Sequence, residues 1–190
     1  MEELKKRILK EAQVGEGDII RVDMFLNHCI DPALLERAGK ALAKGFRGER
    51  VDKVLTVESS GIAVACFTAL ALGVPALYAK KFQSGYIDPH VYTAEVHSFS
   101  LEKSYTLRVA RRYLTSGERV LLVDDILSSG QAILGLLEIV SRAGAQAVGV
   151  GVAIEKATRE GGAVLGRMGP RVEALATVAR VEDGQILLEG

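Results

Sequence analysis

The chain carries the same pattern twice: a short apolar run, a polar break that contains Ser-Ser-Gly, and an apolar stretch of helical length. The apolar runs cover residues 54–57 and 120–123, and the breaks cover 58–61 and 124–130. Each copy predicts a strand, a loop and a helix, and a further apolar strand follows each helix. Two such βαβ units form a parallel sheet covered by helices, so the sequence predicts an α/β fold.

Other segments complete one predicted domain over residues 1–190, without a low-complexity linker. The two units have helices over 62–72 and 131–142 and closing strands over 76–79 and 147–154. Further helices are expected over residues 2–12 and from Asp31-Pro32, where an N-cap acid precedes proline. The remaining segments predict a strand and loop over 17–31, an antiparallel pair from 91–100 and 105–114, and two strands after Pro170.

Composition limits the classes of function. Lys and Arg together number 24, as do Asp and Glu, so the chain has no basic excess for nucleic acid. No apolar run reaches the roughly 18 residues of a membrane span, and the charged N-terminus does not resemble a signal peptide. Cys29 and Cys66 form no CxxC motif and predict small buried side chains in a reducing cytoplasm. The three histidines have no paired ligand spacing, so no resident metal site is expected.

Both polar breaks are predicted at the carboxyl ends of parallel strands, where ligands bind in open α/β sheets. The unpaired N–H groups at a helix start, together with serine hydroxyls and glycine, suit a phosphate group. One Ser-Ser-Gly by itself is an ordinary helix start, whereas two on one sheet edge indicate a ligand with two separated phosphates. The chain lacks GxxxxGK[ST] and GxGxxG, so neither common nucleotide loop explains them.

Asp124 and Asp125 stand just before the second Ser-Ser-Gly. Two carboxylates repel a phosphate, so they favour a sugar diol or a magnesium ion beside it. Neighbouring strand residues point to opposite faces, so both acids reach one ligand only if the chain leaves the sheet there. The alternative is an exposed acidic turn that caps the following helix.

The segment VLLVDDILSSGQA, residues 120–132, resembles the phosphoribosyl-pyrophosphate signature of type I phosphoribosyltransferases. Residues 22–32, 56–63 and 154–156 are similar to bacterial members that use xanthine, and so is the Gln131-Ala132 ending of the signature. The resemblance implies the type I phosphoribosyltransferase fold, with a parallel sheet flanked by helices. It also implies a small hood, to which residues 1–50 and about 155–190 contribute, and a flexible hairpin lid over 82–104.

The resemblance further implies an activity: transfer of phosphoribosyl from 5-phosphoribosyl 1-pyrophosphate (PRPP) to xanthine, giving XMP and pyrophosphate in purine salvage. Magnesium is expected to arrive with PRPP rather than in a preformed protein site. The implied protein is a cytoplasmic homodimer with small-molecule substrates and neither a nucleic-acid nor a membrane partner.

The implied roles follow the matching motifs. The groups at the reacting centre are Asp124 and Asp125, which hold the ribose hydroxyls, and Lys81, which faces the leaving pyrophosphate. The other residues bind the 5-phosphate (Ser128, Ser129, Gly130, Gln131, Ala132), the pyrophosphate (Glu58, Ser59, Ser60, Gly61) and the base (Ile20, Asn27, Lys156).

Plainer alternatives remain for several of these residues. Lys81 can be a solvated strand end, Lys156 a surface ion pair, Asn27 a turn cap and Ile20 a core residue. Adenine, guanine or hypoxanthine are alternative bases. A non-catalytic regulator that senses PRPP is the alternative class, although such a protein is expected to carry a DNA-binding segment and a basic face.

Overall fold

A computed structural model of the chain describes residues 1–81, 89–98 and 103–190. Besides short 3-10 turns and a π-helical turn at Asp23–Asn27, it contains five helices and ten strands within those residues. In chain order they are α1 Glu2–Glu11, β1 Gln13–Gly15, β2 Ile19–Arg21, α2 Pro32–Gly45, β3 Lys53–Val57, α3 Gly61–Leu72, β4 Ala76–Ala79, β5 Val91–Ser98, β6 Lys103–Ala110, β7 Arg119–Leu127, α4 Gln131–Arg142, β8 Gln146–Lys156, α5 Gly161–Met168, β9 Val172–Glu182 and β10 Gln185–Leu188.

The central sheet has six strands in the order β10-β9-β8-β7-β3-β4. Only β10 runs antiparallel to its neighbour, so the predicted parallel sheet is confirmed. Both predicted units are present, as β3-α3-β4 and β7-α4-β8. A third crossover, from β8 through α5 to β9, was not predicted, because the four glycines within residues 161–169 disfavour a helix.

Alternating side chains of the strands divide the core into two layers. Leu121 and Val123 of β7 belong to the cluster that contains residues of α1, α2 and α3. Val120 and Leu122 belong to the other, which contains residues of α4 and of the β5–β6 hairpin. Period-two alternation therefore lets one buried strand serve both faces of the sheet.

The N-terminal segments fold largely as their local sequence indicates. Asp31 caps α2, since its Oδ1 accepts a hydrogen bond from the Leu34 amide at 3.0 Å, and Pro32 begins the helix. Within residues 17–31 the strand is β2, which pairs with the unpredicted β1, and a π-helical turn replaces much of the expected loop.

Three further expectations have different outcomes. The antiparallel pair is confirmed as β5 and β6. The predicted lid over 82–104 lies in part outside the described residues, which omit 82–88 and 99–102. The prediction that Cys29 and Cys66 are buried is wrong, because both side chains are exposed.

Helices of the described segments are too short or too polar to cross a lipid bilayer.

Candidate active site

A cavity of about 630 Å³ opens at the carboxyl ends of β7 and β8. Its floor includes the loop after β7, which is the second Ser-Ser-Gly segment. Its walls come from both ends of the chain and from the β5–β6 hairpin: Gly17, Ile19, His97, Tyr105, Thr158, Arg159 and Glu160. The position agrees with the rule that ligands bind beyond the carboxyl ends of parallel strands.

The second Ser-Ser-Gly segment forms a cradle at the start of α4. The cavity is lined by all five residues predicted to hold the 5-phosphate: Ser128, Ser129, Gly130, Gln131 and Ala132. Gly130 has φ of 78°, in the left-handed region, and directly precedes α4. The first N–H groups of α4 have no partner within the helix and carry partial positive charge, so the cradle can accept a phosphate.

The first Ser-Ser-Gly segment connects β3 with α3 on the neighbouring strand. The Glu58 carboxylate accepts a hydrogen bond from the Lys81 amide at 2.6 Å, which ties this loop to the end of β4. A Cβ at Gly61 would overlap Thr56 Oγ1 and lie 2.6 Å from Asp124 Oδ1. Glycine at position 61 therefore permits the start of α3 to approach the carboxylate of Asp124 on β7.

Asp124 is a buried carboxylate in the cavity wall. Its Oδ1 accepts a hydrogen bond from the Asp125 amide at 3.0 Å. Burial, followed by the negative charge of Asp125, raises the pKa of Asp124 well above its ordinary value. A partner that donates hydrogen bonds or brings positive charge into the cavity would stabilise the ionised form.

Asp125 has a different environment, although it is also buried. Its Oδ2 accepts a hydrogen bond from Asn27 Nδ2 at 2.6 Å, and it does not line the cavity. The chain does not leave the sheet at these acids, which was the condition for both to reach one ligand, because β7 continues through both to Leu127. Adjacent strand residues point to opposite faces, so one acid faces the cavity and its neighbour meets the N-terminal segment.

Lys81 follows β4 and lies beside the cavity rather than in its wall. Its Nζ is 5.1 Å from the ring centroid of Tyr105, a cavity residue on β6. The charge of Lys81 partly opposes the rise in the pKa of Asp124, while the charge of Asp124 adds to the burial that raises the pKa of Tyr105. Lys81, Tyr105 and Asp124 therefore form one electrostatic group.

The three residues predicted to contact the base divide between two hollows. Lys156 is only 7% exposed and lines the main cavity, so it is not a surface side chain, as the alternative of a surface ion pair requires. Ile20 and Asn27, both in the N-terminal segment, line a second hollow of about 370 Å³. Ile19, rather than Ile20, faces the main cavity, because neighbouring residues of β2 point in opposite directions.

Sequence reasoning missed the cavity residues that come from distant elements. Ile19 could have been found from strand alternation, because it neighbours Ile20 in a short β-branched run. Tyr105, His97 and Arg159 belong to no motif. They reach the cavity only through the pairing of β5 with β6 and the turn after β8.

The fold and these two loops define a phosphoribosyltransferase. The family model described as "Phosphoribosyl transferase domain" matches residues 30–162, which include both loops, and the chain belongs to this family. The resemblance of residues 120–132 is thereby confirmed.

Curated relatives of nearly equal length identify a narrower group. The chain is 46% identical over 187 residues to "Xanthine phosphoribosyltransferase 1" of Clostridium perfringens, covering 98% of each chain. It is 44% identical over 186 residues to "Xanthine phosphoribosyltransferase" of Bacillus cytotoxicus, covering 98% of this chain and 94% of the relative.

Solved structures share the fold at lower identity. Adenine phosphoribosyltransferase from Rhodothermus marinus matches with a TM-score of 0.76 and 23% identity over 93% of this chain and 97% of that one. The enzyme of the same name from Saccharomyces cerevisiae matches with a TM-score of 0.73 and 20% identity, over 92% and 99%. At this level of identity the likeness establishes the type I phosphoribosyltransferase fold alone.

The burial of Asp124 predicts that Asp124→Asn stabilises the unliganded protein at neutral pH. Because the native pKa lies above the unfolded value, wild-type stability falls as pH rises through the native pKa, and Asn does not ionise. We expect a melting temperature higher by about 2–4 °C, which corresponds to roughly 1 kcal/mol for this chain length. The difference in melting temperature should vanish below about pH 3.9, where the Asp124 carboxyl is protonated in both the native and the unfolded protein.

Asp52→Asn is the matched control. Asp52 accepts a hydrogen bond from the Arg119 amide at 2.9 Å, and this bond is the main cause that lowers its pKa. The ionised Asp52 carboxylate stabilises the protein above the unfolded pKa, and this effect disappears in acid. Asp52→Asn should therefore lower the melting temperature at neutral pH. Thermal unfolding of both variants, measured from acid to neutral pH, gives the sign of each change in melting temperature. Destabilisation by Asp124→Asn at neutral pH would contradict the free-energy cost assigned to the buried charge of Asp124.

Proposed function

We propose that this phosphoribosyltransferase transfers the phosphoribosyl group of PRPP to xanthine, giving XMP and pyrophosphate in purine salvage. The observation that carries the proposal is the single cavity lined by the 128–132 cradle, Asp124 and Lys156. These provide a site for a phosphate, a site for a sugar hydroxyl and a donor for the base. Relatives 42–46% identical over 98% of the chain bear the name xanthine phosphoribosyltransferase, which supports this base and an enzyme rather than a regulator.

The proposed position of PRPP follows from the two loops. The 5-phosphate binds the backbone and hydroxyl groups of the 128–132 cradle, and the ribose hydroxyls donate to Asp124. Asp125, held by the Asn27 amide on the other side of β7, acts on the ribose site through its charge on Asp124. The pyrophosphate binds at residues 58–61, where Lys81 lies within reach through its tie to Glu58.

Magnesium is the proposed cofactor and accompanies the pyrophosphate. The carboxylate of Asp124, which lines the cavity, is a hard oxygen donor of the kind that magnesium binds directly or through water. The other ligands of the ion are proposed to be substrate oxygens and water, in keeping with the preference of magnesium for retained waters and phosphates. When bound, the ion neutralises negative charge on the pyrophosphate.

The proposed reaction is a displacement at the anomeric carbon of ribose. A ring nitrogen of the base forms the new bond to carbon and its proton is released to water, while the carbon–oxygen bond breaks and its electron pair leaves with pyrophosphate. Lys81 and the N–H groups at the start of α3 stabilise the growing charge on the leaving group. The Tyr105 ring borders Lys81 Nζ and limits where the ammonium can move.

Base choice is assigned mainly to Lys156. An ammonium group is a donor without acceptor capacity, so beside C6 of the purine it donates to the oxo oxygen of xanthine and disfavours the amino group of adenine, which is also a donor. Asn27 is assigned to C2 as the weaker determinant, because it lines the second hollow and its amide donates to Asp125. To reach the base the amide has to turn from Asp125, and it can then donate to the oxygen of xanthine or accept from the amino group of guanine. Discrimination against guanine should therefore be weaker than discrimination against adenine.

The same proposal includes a single domain with a hood over the base. Gly17 and Ile19 from residues 1–50 and the turn after β8 from residues 155–190 line opposite parts of the cavity, which supports a hood built from both chain ends. A cytoplasmic location is also proposed, since free Cys29 and Cys66 suit a reducing compartment.

Turnover with each purine base tests the proposed substrate. We expect xanthine to be used best, guanine and hypoxanthine less well, and adenine essentially not at all. Leaving a buried donor unpaired costs about 1–3 kcal/mol, which corresponds to roughly tenfold to hundredfold selection. Adenine turning over as well as xanthine would contradict the assignment.

Lys156→Ala sharpens the same assay. The variant should raise KM for xanthine by about tenfold or more, with a smaller effect on KM for PRPP. Lys40→Ala is the control, since Lys40 is 64% exposed on α2 and pairs with Glu36. Equal increases in both KM values for Lys156→Ala would place the residue outside the base site.

We also propose a homodimer through the outer face of α3. The helix has no charged residue over twelve positions, yet Leu70 is 72% exposed, and Cys66 and Ala71 are exposed beside it. A helix that is apolar on all sides is normally buried, so the exposed face of α3 indicates that another protein surface packs against it. A second copy supplies the same apolar face and buries both at once.

Leu70→Lys should therefore shift the protein to monomer by placing a charge in the proposed interface. Multi-angle light scattering after gel filtration measures the mass at several protein concentrations. Leu9→Lys on α1 is the control, because Leu9 is also a well-exposed leucine, at 59%, on a helix rich in charge. A dimer unaffected by Leu70→Lys, or a monomeric wild type, would overturn the proposed interface.

A further inference from the structure

The start of α5 lies directly against the phosphate cradle. Gly161, the first residue of α5, is buried, and its amide donates a hydrogen bond to the Ser128 carbonyl at 3.1 Å. On the other side of this contact, a Cβ placed on Gly130 would lie 3.1 Å from Gly161 Cα. The cradle therefore has a backbone support on the face that a phosphate does not occupy.

This contact leaves no room for a side chain at position 161. A Cβ there would overlap the Ser128 carbonyl oxygen and lie 2.9 Å from the Gly130 nitrogen. Both are backbone atoms, so neither can rotate away as the end of a side chain can. Any residue larger than glycine must displace either the cradle or the helix.

The two other glycines of α5 do not share this constraint. At Gly162 the atom nearest to a new Cβ is Oε1 of Glu155, the end of a flexible side chain. Around Gly166, apart from its chain neighbours and the backbone of α5 itself, no atom of the described residues lies within 4 Å of the Cβ position. The requirement for glycine against the cradle backbone is therefore specific to position 161 within this helix.

We infer that Gly161 is a positioning residue for PRPP: its lack of a side chain lets α5 set the direction of the cradle N–H groups that bind the 5-phosphate. Gly161 does not itself touch the reacting atoms. A cradle binds phosphate through several aimed N–H groups, so a displacement of Ser128 and Gly130 weakens all of them together. The inference rests on the proposed use of PRPP.

The test compares Gly161→Ala with Gly166→Ala, the same substitution in the same helix. Ribose 5-phosphate probes the cradle without the pyrophosphate loop, and magnesium pyrophosphate probes the loop at 58–61 without the cradle. Calorimetry should show that Gly161→Ala binds ribose 5-phosphate about tenfold to a hundredfold more weakly, since small displacements in a site have effects of this size. Its binding of magnesium pyrophosphate should match wild type, and Gly166→Ala should bind both as wild type does.

The kinetic readout should separate in the same way. KM for PRPP should rise in Gly161→Ala by a similar factor, with KM for xanthine changing less. Wild-type affinity for ribose 5-phosphate in Gly161→Ala would overturn the inference, and so would an equal loss of both ligands. A wild-type protein that binds neither ligand would overturn the proposed function itself.

Hydrogen exchange on wild-type protein keeps the inference testable if Gly161→Ala does not fold. Because the Gly161 amide donates to Ser128, saturating ribose 5-phosphate should slow exchange at Gly161, whereas magnesium pyrophosphate should not. Unchanged exchange at Gly161 with ribose 5-phosphate bound would contradict its role as the support of the cradle.

Discussion

The close contact between the Asp124 carboxylate and the start of α3 is the constraint on which the site depends. β3 and β7 are parallel neighbours, so their carboxyl ends and the loops after them meet at one edge of the sheet. Because Gly61 has no side chain, α3 can begin beside Asp124 Oδ1. A Cβ at position 61 would be too close to that oxygen. One acid on β7 thereby joins the loop proposed for pyrophosphate to the cradle proposed for the 5-phosphate.

Several features of the site make sense only in the presence of a ligand. A carboxylate whose pKa is raised by burial and by a second acid destabilises the empty protein when it is ionised. The hydroxyl of Thr56 is buried against the same place without a hydrogen-bond partner among the described atoms. The site therefore combines a stable sheet with a buried carboxylate of raised pKa and the buried Thr56 hydroxyl, and a ligand that donates a hydrogen bond to Asp124 would offset the cost of the carboxylate.

The sequence indicated the parts of the molecule that depend on neighbouring residues. Both βαβ units and the 128–132 cradle follow from apolar runs, helix starts and glycine, and each was predicted within a few residues. The strand β7 was predicted too short, since two acids normally end a buried strand, whereas here Asn27 and the cavity accommodate them. Strand alternation beside Ile20 could have indicated Ile19, whereas the positions of Tyr105 and the α5 support could not be predicted, because they reach the site through long-range pairing and close backbone approach.

A crystal structure of the protein with bound XMP would test most directly whether the 128–132 cradle, Asp124 and Lys156 act as one substrate site. The phosphate should bind the backbone of residues 128–132, a ribose hydroxyl should donate to Asp124, and the xanthine ring should lie beside Lys156 Nζ. A phosphate bound at residues 58–61 instead, or a base remote from Lys156, would contradict the assignment of the cavity.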